Sequence, residues 1–288
     1  MNKIVGISTS VAGRPLRSGS IRLAFQRPFS SDTSTGSSTA GSIIVQGPSL
    51  LTSTGIHRPN PSLFQLPGLR SLPFWTKDNV VAYNDPTVTK IVQHVEGNAD
   101  VIKQEYLAAV MGVNRKNADD VLEPDYDLGG SKGNEHVDAL HEGQWDWHSY
   151  ILKGVKQPKF GDVCPVTSGC LESFGPNLFS TTPFSFAFFS TLQPGASIKA
   201  HSGPMNLRLR VHLPLIVPTS GDCGIRCGGQ ERQWVQGKAL VLDDSYVHEV
   251  WNKTSEPRVI LLFDIWHPDV HPIERDNINE MFGFAKDQ

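Results

Sequence analysis

The chain has 288 residues, 39% hydrophobic and 19% charged, with 26 Lys and Arg against 29 Asp and Glu for a formal charge of −3. These fractions exclude a wholly disordered chain, and no apolar run approaches the roughly 18–20 residues that span a bilayer. The balance also excludes the broadly basic surface that nucleic-acid binding needs, and four cysteines are too few for a small disulfide-stapled scaffold.

The charge is unevenly placed. Residues 1–31 hold Lys3, Arg14, Arg17, Arg22 and Arg27 and no acid, so they contribute +5 and leave −8 for the remainder. An Arg-rich, Ser-rich, acid-free segment has the composition of an organellar presequence. We therefore expect a transit peptide over 1–31 that directs the chain to the mitochondrial matrix, with the plastid as the alternative. Residues 32–60 are rich in Ser, Thr and Gly and read as a disordered linker. One domain is expected over 61–288. Its entry is an extended, proline-punctuated stretch whose apolar residues, Leu63 to Trp75, pack on a core.

Asp85-Pro86 predicts a helix start, with Asp as N-cap and Pro at the first helical position. Val88, Ile91, Val92 and Val95 follow at helical spacing. After a break at Gly97-Asn98, a second helix or a continuation runs towards Gly112. Residues 114–143 read as a long loop, and Trp145 to Leu152 as an aromatic segment with strand character. From residue 183 short β-prone runs alternate with turn residues: 184–192, 198–201, 207–217, 224–227, 232–235, 239–242, 248–251 and 258–266. Eight such strands predict a mainly β fold, a double-stranded β-helix of jelly-roll or cupin-like type, flanked by the N-terminal helices. A short helix is expected over 272–284.

Two of the ten histidines stand out by position. His201 ends a strand before the Ser202-Gly203-Pro204 turn, and His248 opens a later strand. In a double-stranded β-helix such a pair can meet at one barrel mouth, where neutral imidazoles can hold Fe(II) with positions left open; by spacing alone the two are equally read as core or surface histidines. Arg208, Arg210 and His212 alternate along one strand and so share a face. That face has two readings, a solvated exterior or a cationic interior wall. Arg258 starts the next long strand; placed in a barrel interior, it requires an anion. Cys164/Cys170 and Cys223/Cys227 lack the spacing of a zinc ribbon or finger. Asn252-Lys253-Thr254 matches a glycosylation sequon and is read as chance.

The stretches His201-Ser202-Gly203-Pro204, Asn206 to Leu213, Asp243-Asp244-Ser245, His248-Glu249-Val250-Trp251, Arg258 and Asp264-Ile265-Trp266-His267-Pro268, in that order, closely resemble the aspartyl/asparaginyl β-hydroxylase family. So does Leu66 to Trp75 upstream. The resemblance is dense over about 183–270 and looser over 63–182. It implies an Fe(II)- and 2-oxoglutarate-dependent dioxygenase that uses O₂ and hydroxylates the β-carbon of Asp or Asn. It implies His201 and His248 as metal ligands and Arg258 with Ser190 on the distal carboxylate of 2-oxoglutarate. It further implies Arg210 and His212 on the proximal carboxylate and Arg208 on the substrate side. The family uses two histidines without the usual carboxylate, and Gly203 stands where that carboxylate would be. A disulfide between Cys164 and Cys170 is likewise only implied by relatives. The expected substrate is an acidic peptide, a protein or a small molecule. The rival readings are the same chemistry on a small molecule or lipid acyl chain, and a non-catalytic cupin-like module.

Overall fold

In the computed structural model, residues 58–75, 85–114, 120–125 and 140–286 are described. The expected transit peptide over 1–31 and all but the last residues of the expected linker over 32–60 lie outside them, as does much of the expected loop over 114–143.

Helix α1, Pro86–Gly97, starts as predicted: the Asp85 carboxylate accepts from the N–H of Thr87 and Val88, and Pro86 occupies the first turn. It buries Val88, Ile91 and Val95. The chain breaks at Asn98 and resumes as α2, Ala99–Ala109, which buries Ala99, Ile102, Tyr106 and Ala109. Next come β1 (His141–Glu142), β2 (Trp145–Leu152) and β3 (Val155–Lys156). Two short helices then follow that periodicity did not predict, α3 (Pro158–Val163) and α4 (Pro165–Glu172). Each carries a proline in its first turn, a start signal too brief to show without a following apolar repeat.

The remaining strands are β4 (Phe186–Leu192), β5 (Ser197–His201), β6 (Arg208–Ile216), β7 (Cys223–Cys227), β8 (Gln230–Arg232), β9 (Leu240–Leu242), β10 (His248–Asn252) and β11 (Arg258–Trp266); α5, Pro272–Lys286, follows. Seven of the eight predicted strands lie close to their expected places. The eighth, expected over 232–235, shifts upstream to β8. Val235 then only bridges to Lys238, and Trp234 turns inward, 4% exposed.

These strands form two antiparallel sheets, ordered β1-β5-β10-β7-β8 and β3-β2-β4-β11-β6-β9. Ile198, Ile225 and Val250 from the first pack against Phe188, Leu242, Ile260 and Leu262 from the second. The second sheet turns its other face, including Leu209, Val211, Leu213, Leu261 and Phe263, to the helices. A sheet covered on both sides needs strands without a solvent-exposed face, and all nine residues of β11 are buried. The predicted β-helix therefore holds, with helices on one flank.

The stretch 58–75 laces across the loops beside both key histidines. The N–H groups of Ser62 and Leu63 donate to the carbonyls of Gly203 and Pro204, and that of Asn60 to Ser245. Arg70 clamps Asp269 and Asp85. All four cysteines are buried, and no disulfide joins Cys164 to Cys170 or Cys223 to Cys227. Asn252 of the sequon is fully buried and donates to the carbonyls of Leu192, Gln193 and Glu256, so its amide is committed to the fold. Among the described residues no helix is long and apolar enough to cross a membrane.

Candidate functional site

β5 and β10 are neighbours, and their register sets His201 opposite His248. The ring centroids are 4.1 Å apart. Each Nδ1 meets the carbonyl two residues upstream: His201 on Lys199 at 2.7 Å and His248 on Tyr246 at 2.9 Å. A carbonyl only accepts, so Nδ1 carries the proton in both rings and each lone pair resides on Nε2. Burial lowers the pKa of His201. For His248, burial and then His201 push it down to about 3. Two adjacent neutral imidazoles with Nε2 lone pairs and backbone-locked tautomers could serve as two donors to a metal ion.

No third ligand joins them: among the described residues, no three His, Cys, Asp or Glu side chains are grouped to hold a metal. Gly203 shows why. A Cβ built there would lie 2.6 Å from Cγ and Oδ2 of Asp244. The Asp244 carboxylate thus fills the space into which a side chain at 203 would grow, and the His-x-carboxylate pattern is sterically closed.

The parity of β6 and β11 is now fixed. Arg208, Arg210 and His212 face the space between the sheets. The register places Asp264 opposite Arg210, Trp266 opposite Arg208, and Leu262 opposite His212. The solvated reading of this face is excluded, but the wall is not the openly cationic one expected. Arg208, 2% exposed, pairs with Asp244 at 2.7 Å and Asp264 at 2.9 Å and also donates to the Phe184 carbonyl. Arg210 pairs with Asp264 at 2.8 Å and Asp244 at 3.2 Å. Burial opposes ionisation of Asp244, yet Arg208 and Arg210 overcome it and hold the carboxylate well below the usual range. Two arginines and two aspartates leave this quartet neutral. Sequence reading named the arginines and missed Asp264 as their partner; its signal was an acid in an otherwise apolar strand.

Arg258 differs. It is 1% exposed, and its Nε is buried without a hydrogen-bond partner. Its guanidinium stacks 4.9 Å from the Trp234 ring centroid. Burial pushes its pKa down to about 10. The Nε2 of His212 is also buried and unpartnered. Trp234 Nε1 donates to His212 Nδ1 at 3.4 Å. An indole N–H can only donate, so Nδ1 must be the acceptor, and neutral His212 holds its proton on Nε2. Burial, then Arg258, lowers the His212 pKa well below its ordinary value and keeps the ring neutral. The result is one buried cation whose Nε, and one imidazole whose Nε2–H, have no acceptor among the described residues. Ser190, 1% exposed, lies opposite Ile260 on β4, and its Oγ accepts from Trp145 Nε1 at 2.8 Å. The hydroxyl proton remains for a ligand.

Residues 96–268 match the family model described as aspartyl/asparaginyl beta-hydroxylase, and the chain belongs to that family. It is 31% identical over 217 residues to the aspartyl/asparaginyl beta-hydroxylases of Mus musculus and Homo sapiens, covering 75% of this chain and 26% of each of those. It is 42% identical over 125 residues to the ornithine lipid ester-linked acyl 2-hydroxylase of Rhizobium tropici, covering 42% of each. The chain thus spans about a quarter of the length of the two mammalian relatives. Among solved structures, a Pseudomonas putida prolyl-4-hydroxylase aligns over 62% of this chain and 98% of its own at 15% identity with a TM-score of 0.34, too slight a likeness to build on.

Proposed function

We propose that the protein is an Fe(II)- and 2-oxoglutarate-dependent dioxygenase that hydroxylates an unactivated C–H bond, first of all the β-carbon of an Asp or Asn residue in a peptide or protein. The observation that carries this reading is the buried Arg258, a cation with no anion partner among the described residues, beside the unpaired Nε2–H of His212. An uncompensated buried charge is costly. A dicarboxylate supplies the missing charge, and its oxygens accept from both groups.

The residues fit the implied groups. His201 and His248 would hold Fe(II) through Nε2, and Gly203 keeps a protein carboxylate off the metal. Bound iron with 2-oxoglutarate would supply the oxidising power that activates O₂ for C–H hydroxylation. The chain's own residues orient and insulate. Arg258 and Ser190 fix the far carboxylate of the cosubstrate, while His212 donates from Nε2. Trp234 holds that proton in place and supports Arg258 from beneath. Trp147 and Phe188 stack 4.2 Å apart and form a dry wall between the sheets. Arg210 is the quartet member nearest the opening, its side chain 15% exposed, and stands where a second carboxylate oxygen would be received.

A second reading of the substrate is favoured by the quartet. Because Arg208 and Arg210 are already neutralised, an arriving carboxylate meets no spare cation beyond the one assigned to the cosubstrate. A neutral substrate, an Asn amide or an acyl chain, meets no such deficit, and one relative is named as an acyl hydroxylase. Incubation with Fe(II), 2-oxoglutarate, ¹⁸O₂ and an organelle extract separates the readings. Label in Asp or Asn residues is expected. Label confined to lipids transfers the proposal to an acyl substrate, and label nowhere overturns it. The composition of residues 1–31 supports delivery to the mitochondrial matrix; an import assay on purified mitochondria tests it, and exclusion from the matrix contradicts it.

A further inference from the structure

On the helix-facing side of the six-stranded sheet, away from the histidine pair, lies a cavity of about 240 Å³ that the proposed reaction does not use. Strand alternation builds it. Trp145 and Trp147 of β2 pack between the sheets, so Asp146 and His148 face the cavity. On β4, Ser190 faces the interior and Thr191 the cavity. The other wall, from α2 and the segment after it, includes Val110, Met111, Leu122 and Pro124.

The polar end leaves one buried nitrogen without a hydrogen bond and one carboxylate without a cation among the described residues. His148 is 4% exposed, and its Nδ1 is buried with no hydrogen-bond partner. Burial pushes its pKa down to about 4, so it is neutral at physiological pH. Asp146 accepts from Gln144 at 3.0 and 3.1 Å and from Gln193 at 3.0 Å. It forms no ion pair with any described residue. Buried polar groups are ordinarily satisfied, and those that are not need an explanation. A carboxylate held by two neutral amides, a neutral imidazole and a facing apolar wall suit a small amphipathic cation. A bare metal ion would need a third protein ligand, and among the described residues no such group of three exists.

We propose that this cavity binds a small organic ammonium compound, with its charge on Asp146, an N–H donated to His148 and its hydrocarbon against Val110 and Met111. The site opens on the wrong side of the sheet for the occupant to be oxidised. It acts instead as an effector: Asp146 and Thr191 alternate with Trp145 and Ser190, which are hydrogen-bonded to each other on the cosubstrate side. The effector role rests on the oxygenase reading above; the binding site does not.

The test uses the full chain, free of metal and cosubstrate, with methyl-labelled methionine. n-Butylammonium is expected to shift the Met111 methyl resonance saturably. 1-Butanol, the same shape without the charge, should bind about tenfold more weakly, and Asp146→Asn should weaken n-butylammonium by about tenfold. No saturable shift, equal binding of the alcohol, or an unchanged affinity in Asp146→Asn overturns the site. The comparison with the alcohol on wild-type protein needs no variant to fold. A shift with Zn²⁺ or Mg²⁺ alone and none with the amine overturns the ligand class. Saturating n-butylammonium should then change the 2-oxoglutarate affinity by about fivefold or more. No change overturns the effector role. Failure to bind 2-oxoglutarate under either condition contradicts the oxygenase reading and leaves the amine site standing.

Discussion

The face between the sheets carries two cationic groups that burial treats in opposite ways. Arg208 and Arg210 each meet both Asp244 and Asp264. Arg258, on the strand that pairs with theirs, lies over the Trp234 ring and forms no ion pair with any described residue. The quartet is complete within the chain and does structural work, holding the Asp244 loop under Gly203 and beside His248. Arg258 Nε and His212 Nε2 are left without partners among the described residues, which under the proposed function a ligand would supply. A charge on a buried strand is thus not informative by itself. Whether the fold supplies its counterion decides whether it belongs to the scaffold or to the site.

The largest expected effect comes from breaking the complete group. Gly203→Ala puts a methyl against the Asp244 carboxylate, and Asp244→Asn leaves two buried guanidinium groups sharing one acid. Each should lower unfolding stability by about 3–5 kcal/mol, read from urea or thermal melts. A loss under about 1 kcal/mol in Asp244→Asn would show the quartet to be ornamental.

Arg258→Met should do the reverse. Apo stability should hold or rise, since an unpaired buried cation is removed. Anaerobic 2-oxoglutarate affinity should fall about 100-fold, the scale of a lost charge-assisted pair. Loss of stability with affinity intact would place Arg258 in the scaffold alongside Arg208.

Trp234→Phe keeps a ring beneath Arg258 and removes only the indole N–H. His212 should lose its single tautomer, visible in its ¹⁵N shifts in the apo protein, and 2-oxoglutarate affinity should fall about three- to tenfold. An unchanged Nε2–H tautomer would contradict the positioning role.

A further effect concerns the far side of the sheet. His148 has a folded pKa of about 4, lowered by burial from 6.5. In that window the unfolded chain binds the proton and the folded chain does not, so stability falls with pH from about 6.5 and levels off below about 4. The contribution is on the order of 3 kcal/mol. It should vanish in His148→Gln, judged as the difference between the two pH–stability curves.

Much of this was legible in the sequence. Alternation located most of the strands, and Asp85-Pro86 gave the first helix. The order of His201, Arg210, His212, His248 and Arg258 carried the family. What could not be read was partnership across the sheet. Arg208 and Arg210 announced charge, but Asp264 lies 54 residues beyond Arg210, and only the β6–β11 register brings them together. Trp234 was assigned to a strand because aromatic residues favour strands, yet a turn sends it inward to bridge Arg258 and His212. Gly203 read as an absent carboxylate; that Asp244 fills its space is visible only in three dimensions. The burial of His148 was not legible either, since nothing local shows what packs over it.

The most direct test is an anaerobic titration of the protein with Fe(II) and 2-oxoglutarate, watching the weak visible charge-transfer absorption of the chelated metal. Wild type should develop the band saturably, His201→Ala and His248→Ala should abolish it, and Arg258→Met should need about 100-fold more 2-oxoglutarate. No band with wild type, or the same band in His201→Ala, would contradict the assignment of an iron and 2-oxoglutarate site between the two sheets.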